Sequence, residues 1–262
     1  MMRLFLLVLL LIPPATWADT CHAEIPCRLG DRSYHVKEPD DWDGVTPMPV
    51  LLHFHGWQRQ GTLIVKHARI SGATRTRGVL LLAPNGLRKT WSFWNGNSPD
   101  VTFAAAVLED AAKRYPIDRS RIYVSGYSFG SAMAWRFVCE AGNDVAALLA
   151  VAGTLRQDES CDEAPAEIRH VHGTSDTVMD FPFGPGGDTT FPVQLWRDRF
   201  DCASPTATSN WYYREQLPFE RTVWECPGGI VTLDVHTRGH FIPRGWIARQ
   251  LDELMGTELA GG

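Results

Sequence analysis

The sequence has no run rich in lysine and arginine, and its formal net charge of −5 with a pI near 6.0 lacks the electrostatic footprint of a nucleic-acid binder. It has no Cys-x-x-Cys pair of the kind that holds zinc or exchanges electrons. Internal repeats, low-complexity tracts and Pro-, Gly- or Ser-rich linkers are also missing, so nothing divides the chain. Beyond residue 18 no apolar run is long enough to cross a bilayer. What remains is a chain of 262 residues, 44% of them hydrophobic, long enough to bury a large core without help from disulfides.

The first residues differ from the rest. "MMRLFLLVLLLIPPATWA" carries one arginine, then an apolar run from Leu4 to Ile12, then two prolines and small residues. The run is too short to span a membrane, and it reads as a secretory signal, residues 1–18, cleaved after Ala18. A retained anchor is the alternative reading. Residues 19–262 then form a single exported domain, secreted or periplasmic, with no membrane contact after signal removal. All six cysteines, Cys21, Cys27, Cys139, Cys161, Cys202 and Cys226, lie in that part. An oxidising compartment favours three disulfides. Six cysteines allow 15 pairings, which sequence does not choose among. Proximity along the chain suggests Cys21–Cys27, Cys139–Cys161 and Cys202–Cys226.

Continuous apolar runs at 49–56 and 78–86 have the character of strands buried on both faces of a parallel sheet. Residues 99–115 predict a helix: Val101, Ala105, Leu108 and Ala112 recur at three- and four-residue spacing, and Ser98 or Asp100 can cap it. Strands at 121–126, 145–153 and 167–173 alternate with helices at 129–140 and 242–255. The segment 206–235 reads as an excursion or an antiparallel edge. Strand–helix alternation implies right-handed crossovers and an α/β architecture, a mostly parallel sheet covered on both faces.

Within this pattern the stretch Gly126-Tyr127-Ser128-Phe129-Gly130 joins a strand directly to a helix. That setting suits a nucleophile elbow, where a strained serine projects from the sheet and glycines two before and two after let the chain pass close by. A serine hydroxyl needs a base, and the base needs an orienting acid. In this architecture they follow in the order acid, then histidine. Asp176 sits in a turn after the strand at 167–173, with Asp180 as the alternative acid. His240 follows a glycine after a later strand, with His236 as runner-up. His170 and His172 flank a strand end and read as packing or hydrogen-bonding residues. The Phe129 N–H and one near Trp57, in the loop "HFHGWQ", are the candidate oxyanion donors. His53 and His55 share a strand face, but no carboxylate or cysteine near them completes a ligand set, so neither a metal nor a cofactor is expected. Trp57, Trp91, Phe93 and Trp94 lie in loops at the carboxyl ends of strands. There Trp57, Trp91 and Trp94 would wall a flat apolar cleft for an acyl group.

Taken in order, "HFHG", "WNG", "IDRSRIYVSGYSFGSAMAWRFVCE", "VAGT", "HGTSD" and "GHFIPRGW" resemble the α/β-hydrolase esterases of the polyhydroxybutyrate depolymerase and bacterial feruloyl esterase family, over roughly residues 33–255. The resemblance implies an α/β-hydrolase fold, a triad of Ser128, Asp176 and His240, and bridges Cys139–Cys161 and Cys202–Cys226. It implies an ester hydrolase acting on short hydroxyalkanoate oligomers or other small esters. The alternative is a feruloyl or acetyl esterase on plant polysaccharide side chains; a serine peptidase or a non-catalytic binding protein are readings from other classes. The chain departs from the family in having Phe129-Gly130-Ser131 where members often carry Asn-Gly-Gly. It also has Thr237-Arg238-Gly239-His240-Phe241 where they often carry Gly-Gly-Gly-His and then Trp-Pro-Gly.

Overall fold

The computed structural model describes residues 21–156, 160–179, 191–214 and 217–257. The expected leader at 1–18 and the alternative acid Asp180 lie outside these residues.

Five strands make the parallel centre of the molecule: β3 (Met48–Phe54), β4 (Leu80–Pro84), β5 (Ile117–Tyr127), β6 (Ala147–Val151) and β7 (Glu167–Gly173). Every residue of β3, β4 and β6 is buried, which is why these strands are unbroken apolar runs rather than alternating ones. Alternate side chains feed two cores. Val50, Leu52, Leu80 and Leu82 point to one face; Leu51, Leu81 and Ala83 point to the other. Helix α3 (Pro99–Arg114) and helix α4 (Phe129–Ala141) cover the first face. Helix α6 (Trp246–Met255), with the short helix α2 (Ser71–Arg75), covers the second. Ser98 is the α3 cap, its hydroxyl accepting from the Asp100 N–H at 3.2 Å.

The described residues form one ten-stranded sheet with order β1-β2-β4-β3-β5-β6-β7-β10-β9-β8. At one edge β1 (Cys27–Leu29) and β2 (Arg32–Lys37) run antiparallel, β2 against β4. At the other, β10 (Gly229–His236) lies parallel to β7, and β9 (Leu217–Cys226) and β8 (Ala207–Tyr213) continue antiparallel from it. The segment expected as an excursion or an edge is therefore both: an antiparallel pair, then a return strand that rejoins the parallel set. The sequence reading lacked β1, β2, the short helices α1 (Gly61–Ile64) and α2, and helix α5 (Phe191–Arg199). Disulfides join Cys21 to Cys27, Cys139 to Cys161 and Cys202 to Cys226, the pairing that proximity suggests.

Candidate active site

Ser128 sits between β5 and α4 with φ 58° and ψ −125°, a conformation that costs a non-glycine residue on the order of 1–3 kcal/mol. Its surroundings leave no room to relax. A Cβ on Gly126 would lie 2.0 Å from the Gly130 carbonyl oxygen, and one on Gly130 would lie 2.0 Å from that of Phe54. Both contacts are with backbone, so glycine is required at each. The Ser128 N–H donates to the Val151 carbonyl at 3.0 Å, which pins the turn to β6.

The loop after β3 passes close to the serine. A Cβ on Gly56 would sit 3.7 Å from Ser128 Cβ. His55 fixes this loop: its Nε2 accepts from the Gly86 N–H at 3.0 Å and its Nδ1 donates to the Gly56 carbonyl at 2.8 Å. The backbone N–H groups of Phe129 and Trp57 donate to no acceptor among the described residues. His53 is buried and bonds Ser125 Oγ through Nδ1 at 3.1 Å. Each histidine thus has a structural partner, and burial lowers their pKa values to about 3 for His53 and about 4 for His55. Among the described residues no group of three or more His, Cys, Asp or Glu could hold a metal ion.

Asp176 lies in the turn after β7, 3% exposed. Its Oδ1 accepts from the Val178 and Met179 N–H groups, each at 2.9 Å, and its Oδ2 lies 2.7 Å from His240 Nδ1. A second imidazole reaches the same oxygen, His172 Nε2 at 3.2 Å. Burial opposes the charge, but the bonds from His172, His240 and the two backbone N–H groups outweigh it and hold the carboxyl well below the usual carboxylate range. His172 also donates from Nε2 to the Met179 carbonyl at 2.7 Å, so its Nδ1 faces His170 Nε2, 3.1 Å away, as an acceptor. His170 and His172 thus form a buried file behind the aspartate, in keeping with the reading of them as packing or hydrogen-bonding residues, though that reading did not name Asp176 as the partner.

His240 comes from the loop after β10. The Tyr127 hydroxyl donates to its backbone carbonyl at 3.1 Å, and the two rings lie 4.9 Å apart, which holds the imidazole over the elbow. The loops at 173–176 and 237–240 are locked together: Ser175 Oγ donates to the Thr237 carbonyl at 3.0 Å, and a Cβ on Gly173 would meet the Arg238 carbonyl oxygen at 2.0 Å. With Nδ1 directed at Asp176, His240 Nε2 is buried and has no protein partner among the described residues. The fold thus brings Ser128, Asp176 and His240 to one rim of the sheet. His236 is turned away, its Nδ1 accepting from the Arg238 N–H at 3.1 Å and its ring against Phe219 and Phe241.

The aromatic residues divide. Trp57 and Trp94 are 60% and 54% exposed and flank the half-buried Phe129 ring at 6.4 and 6.1 Å between centroids. Trp91 does not line an open cleft. It is 2% exposed, packs edge-on against Phe54 and donates its Nε1–H to the His55 carbonyl at 2.7 Å. Its indole is a brace beneath the loop, because a buried N–H with a carbonyl in reach is satisfied there rather than at the surface.

No protein-family model matches the chain. It is 26% identical over 216 residues to the bifunctional acetylxylan esterase/xylanase XynS20E of Neocallimastix patriciarum, covering 80% of this chain and 31% of that protein. It is 27% identical over 164 residues to probable feruloyl esterase C of Aspergillus niger, covering 60% and 59%. Feruloyl esterase C of Emericella nidulans matches at 26% identity over 189 residues, covering 70% and 68%. The chain therefore spans from a third to about two thirds of the length of these curated relatives. Among solved structures, the acetyl xylan esterase from Aspergillus awamori superposes with a TM-score of 0.68 at 14% identity, over 86% of this chain and 94% of that one. The Bacillus cereus carboxylesterase gives a TM-score of 0.56 at 16% identity, over 87% and 95%. The chain has the α/β-hydrolase fold, and its curated similarities are to esterases.

Proposed function

We propose that the protein is an exported serine carboxylester hydrolase that removes acyl groups, hydroxycinnamoyl or acetyl, from plant polysaccharide side chains. The observation that carries this reading is the oriented pair at the rim. Asp176 holds His240 Nδ1 at 2.7 Å, which leaves Nε2 buried and without a partner among the described residues, and the His240 ring lies 4.9 Å from that of Tyr127, the residue before the elbow serine at φ 58°. His240 Nε2 takes the Ser128 proton as Oγ attacks the ester carbonyl. The oxyanion accepts hydrogen bonds from the Phe129 and Trp57 N–H groups, each worth about 3 kcal/mol of barrier. His240 then gives its proton to the leaving alcohol oxygen, and water hydrolyses the acyl-enzyme by the same route. Asp176 stays ionised throughout and stabilises the imidazolium.

The acyl group is argued from the exposed rings. Trp57 and Trp94 beside Phe129 offer flat apolar surface next to the elbow, suited to an aromatic acid. The esterase names of the similar proteins, feruloyl and acetylxylan, favour plant side chains over hydroxyalkanoate oligomers. The leader at 1–18 and the three disulfides support export. A fluorophosphonate probe tests the chemistry: native protein is labelled and Ser128→Ala is not. Absence of labelling on native protein ends the esterase reading. A panel of feruloyl, acetyl, aryl and 3-hydroxybutyrate esters tests the substrate, with feruloyl and acetyl esters expected to turn over fastest.

A further inference from the structure

Two imidazoles end on one oxygen of Asp176, and the proposed reaction uses only one of them. His240 Nδ1 lies 2.7 Å from Oδ2, and His172 Nε2 lies 3.2 Å from it. The side chains of His172 and Asp176 are both fully buried. Strand β7 delivers the pair: His172 is its penultimate residue, and the aspartate comes four positions later in the turn that follows. The proton on His172 is fixed by its neighbours. Nε2 is 2.7 Å from the Met179 carbonyl, which can only accept, so Nε2 carries the hydrogen and shares it between that carbonyl and Asp176 Oδ2. Nδ1, 3.1 Å from His170 Nε2, is left as an acceptor.

The turn from Asp176 to Met179 is therefore clasped from two sides. On one, Asp176 Oδ1 accepts from the Val178 and Met179 N–H groups, each at 2.9 Å. That is the ordinary way an aspartate closes a turn on itself, and it fixes one oxygen only. On the other, a single N–H of His172 holds both Oδ2 and the Met179 carbonyl. The plane of the carboxylate is thereby tied to a buried strand of the sheet. A group that fixes a carboxylate also fixes whatever that carboxylate orients, and here that is the His240 ring.

We infer that His172 is a positioning residue of this site: its Nε2–H keeps the Asp176 carboxylate in the plane in which Oδ2 meets His240 Nδ1. It gives no proton to the reaction and acts through Asp176 alone. The effect on turnover rests on the ester-hydrolase reading, but the Asp176–His240 bond that His172 braces can be observed without turnover.

The test compares His172→Asn with His172→Gln in the full chain. A glutamine amide reaches as far along the side chain as Nε2 and can still donate to Oδ2; an asparagine amide stops at the level of Nδ1. His172→Asn is expected to lower kcat for an aryl ester about tenfold, the scale of one hydrogen bond to a charged group, with KM within about twofold of native. His172→Gln should recover most of that loss. Proton NMR reads the brace directly. The downfield resonance of the His240 Nδ1–H, assigned by its absence in His240→Gln, should persist in His172→Gln and broaden or vanish in His172→Asn. His172→Leu, which refills the volume without a donor, is expected to behave as His172→Asn and replaces it if the asparagine protein does not fold. Native kcat or an intact resonance in these two variants overturns the positioning role, as does an equal kcat loss with asparagine and glutamine, or absence of the resonance from native protein. The two readings fail separately. A resonance lost in His172→Asn, with no ester turnover by native protein, removes the hydrolase alone; turnover with an unaltered resonance removes the brace alone.

Discussion

In the proposed reaction Asp176 and His240 act through one proton. An Nδ1–H donated to a carboxylate leaves the Nε2 lone pair free to accept from a hydroxyl; an amide in place of the carboxylate can present a donor instead and favour the other tautomer. Asp176→Asn keeps an oxygen for the Val178 and Met179 N–H groups, so the turn is expected to survive. Its kcat for an aryl ester should fall on the order of 10³–10⁴-fold with little change in KM. Steady-state kinetics checks this, and a loss under tenfold would remove Asp176 from the role. At this scale the serine was the most legible residue, because two glycines at fixed offsets between a strand and a helix have few other uses. The second imidazole on Asp176 was not. His172 stands four residues earlier in a strand, and only the turn between brings its Nε2 to 3.2 Å of Oδ2. Trp91 was misread for a related reason: the ring it packs on, Phe54, is remote in sequence, and four neighbouring aromatics look alike without that partner.

The elbow is a property of three elements at once: β5 delivers the serine, α4 departs from it, and β3 presses against both. Gly130→Ala places a methyl against the Phe54 carbonyl, which belongs to a fully buried strand and has nowhere to go. The expected cost is at least about 2 kcal/mol of stability, with loss of fluorophosphonate labelling. Gly72→Ala is the control, since no atom lies within 4 Å of its added methyl and the site is helical. Urea midpoints compare the two, and Gly72→Ala should be neutral or slightly stabilising. The parallel strands were readable because burial on both faces leaves no polar alternation to confuse them. The elements that went unread are those with weak patterns. Strand β2 mixes polar and apolar residues, and α5 buries only Pro192, Val193 and Trp196.

The whole molecule keeps several imidazoles neutral inside it. Burial lowers His53 to about 3 and His55 and His236 to about 4. An unfolded histidine titrates near pH 6.5, so between that value and the folded ones the unfolded chain binds more protons, and stability falls as pH falls. Each such group contributes about 1.4 kcal/mol per pH unit across that window. Asp176 adds in the same direction at lower pH: its stabilisation is present above the ordinary carboxylate range and is lost as acid reaches its depressed value. Urea midpoints measured at pH 7, 6 and 5 should therefore decline steadily, and a flat profile would mean these histidines are protonated in the native protein. The sheet order has a consequence in time as well as in space. Strand β10 pairs with β7 although the antiparallel strands and a helix are synthesised between them. A growing chain therefore completes its serine, its glycines and its aspartate before the last imidazole exists. Until that late strand docks, the proposed nucleophile lacks its proposed proton acceptor, and a chain cut short before residue 229 is expected to be silent toward esters.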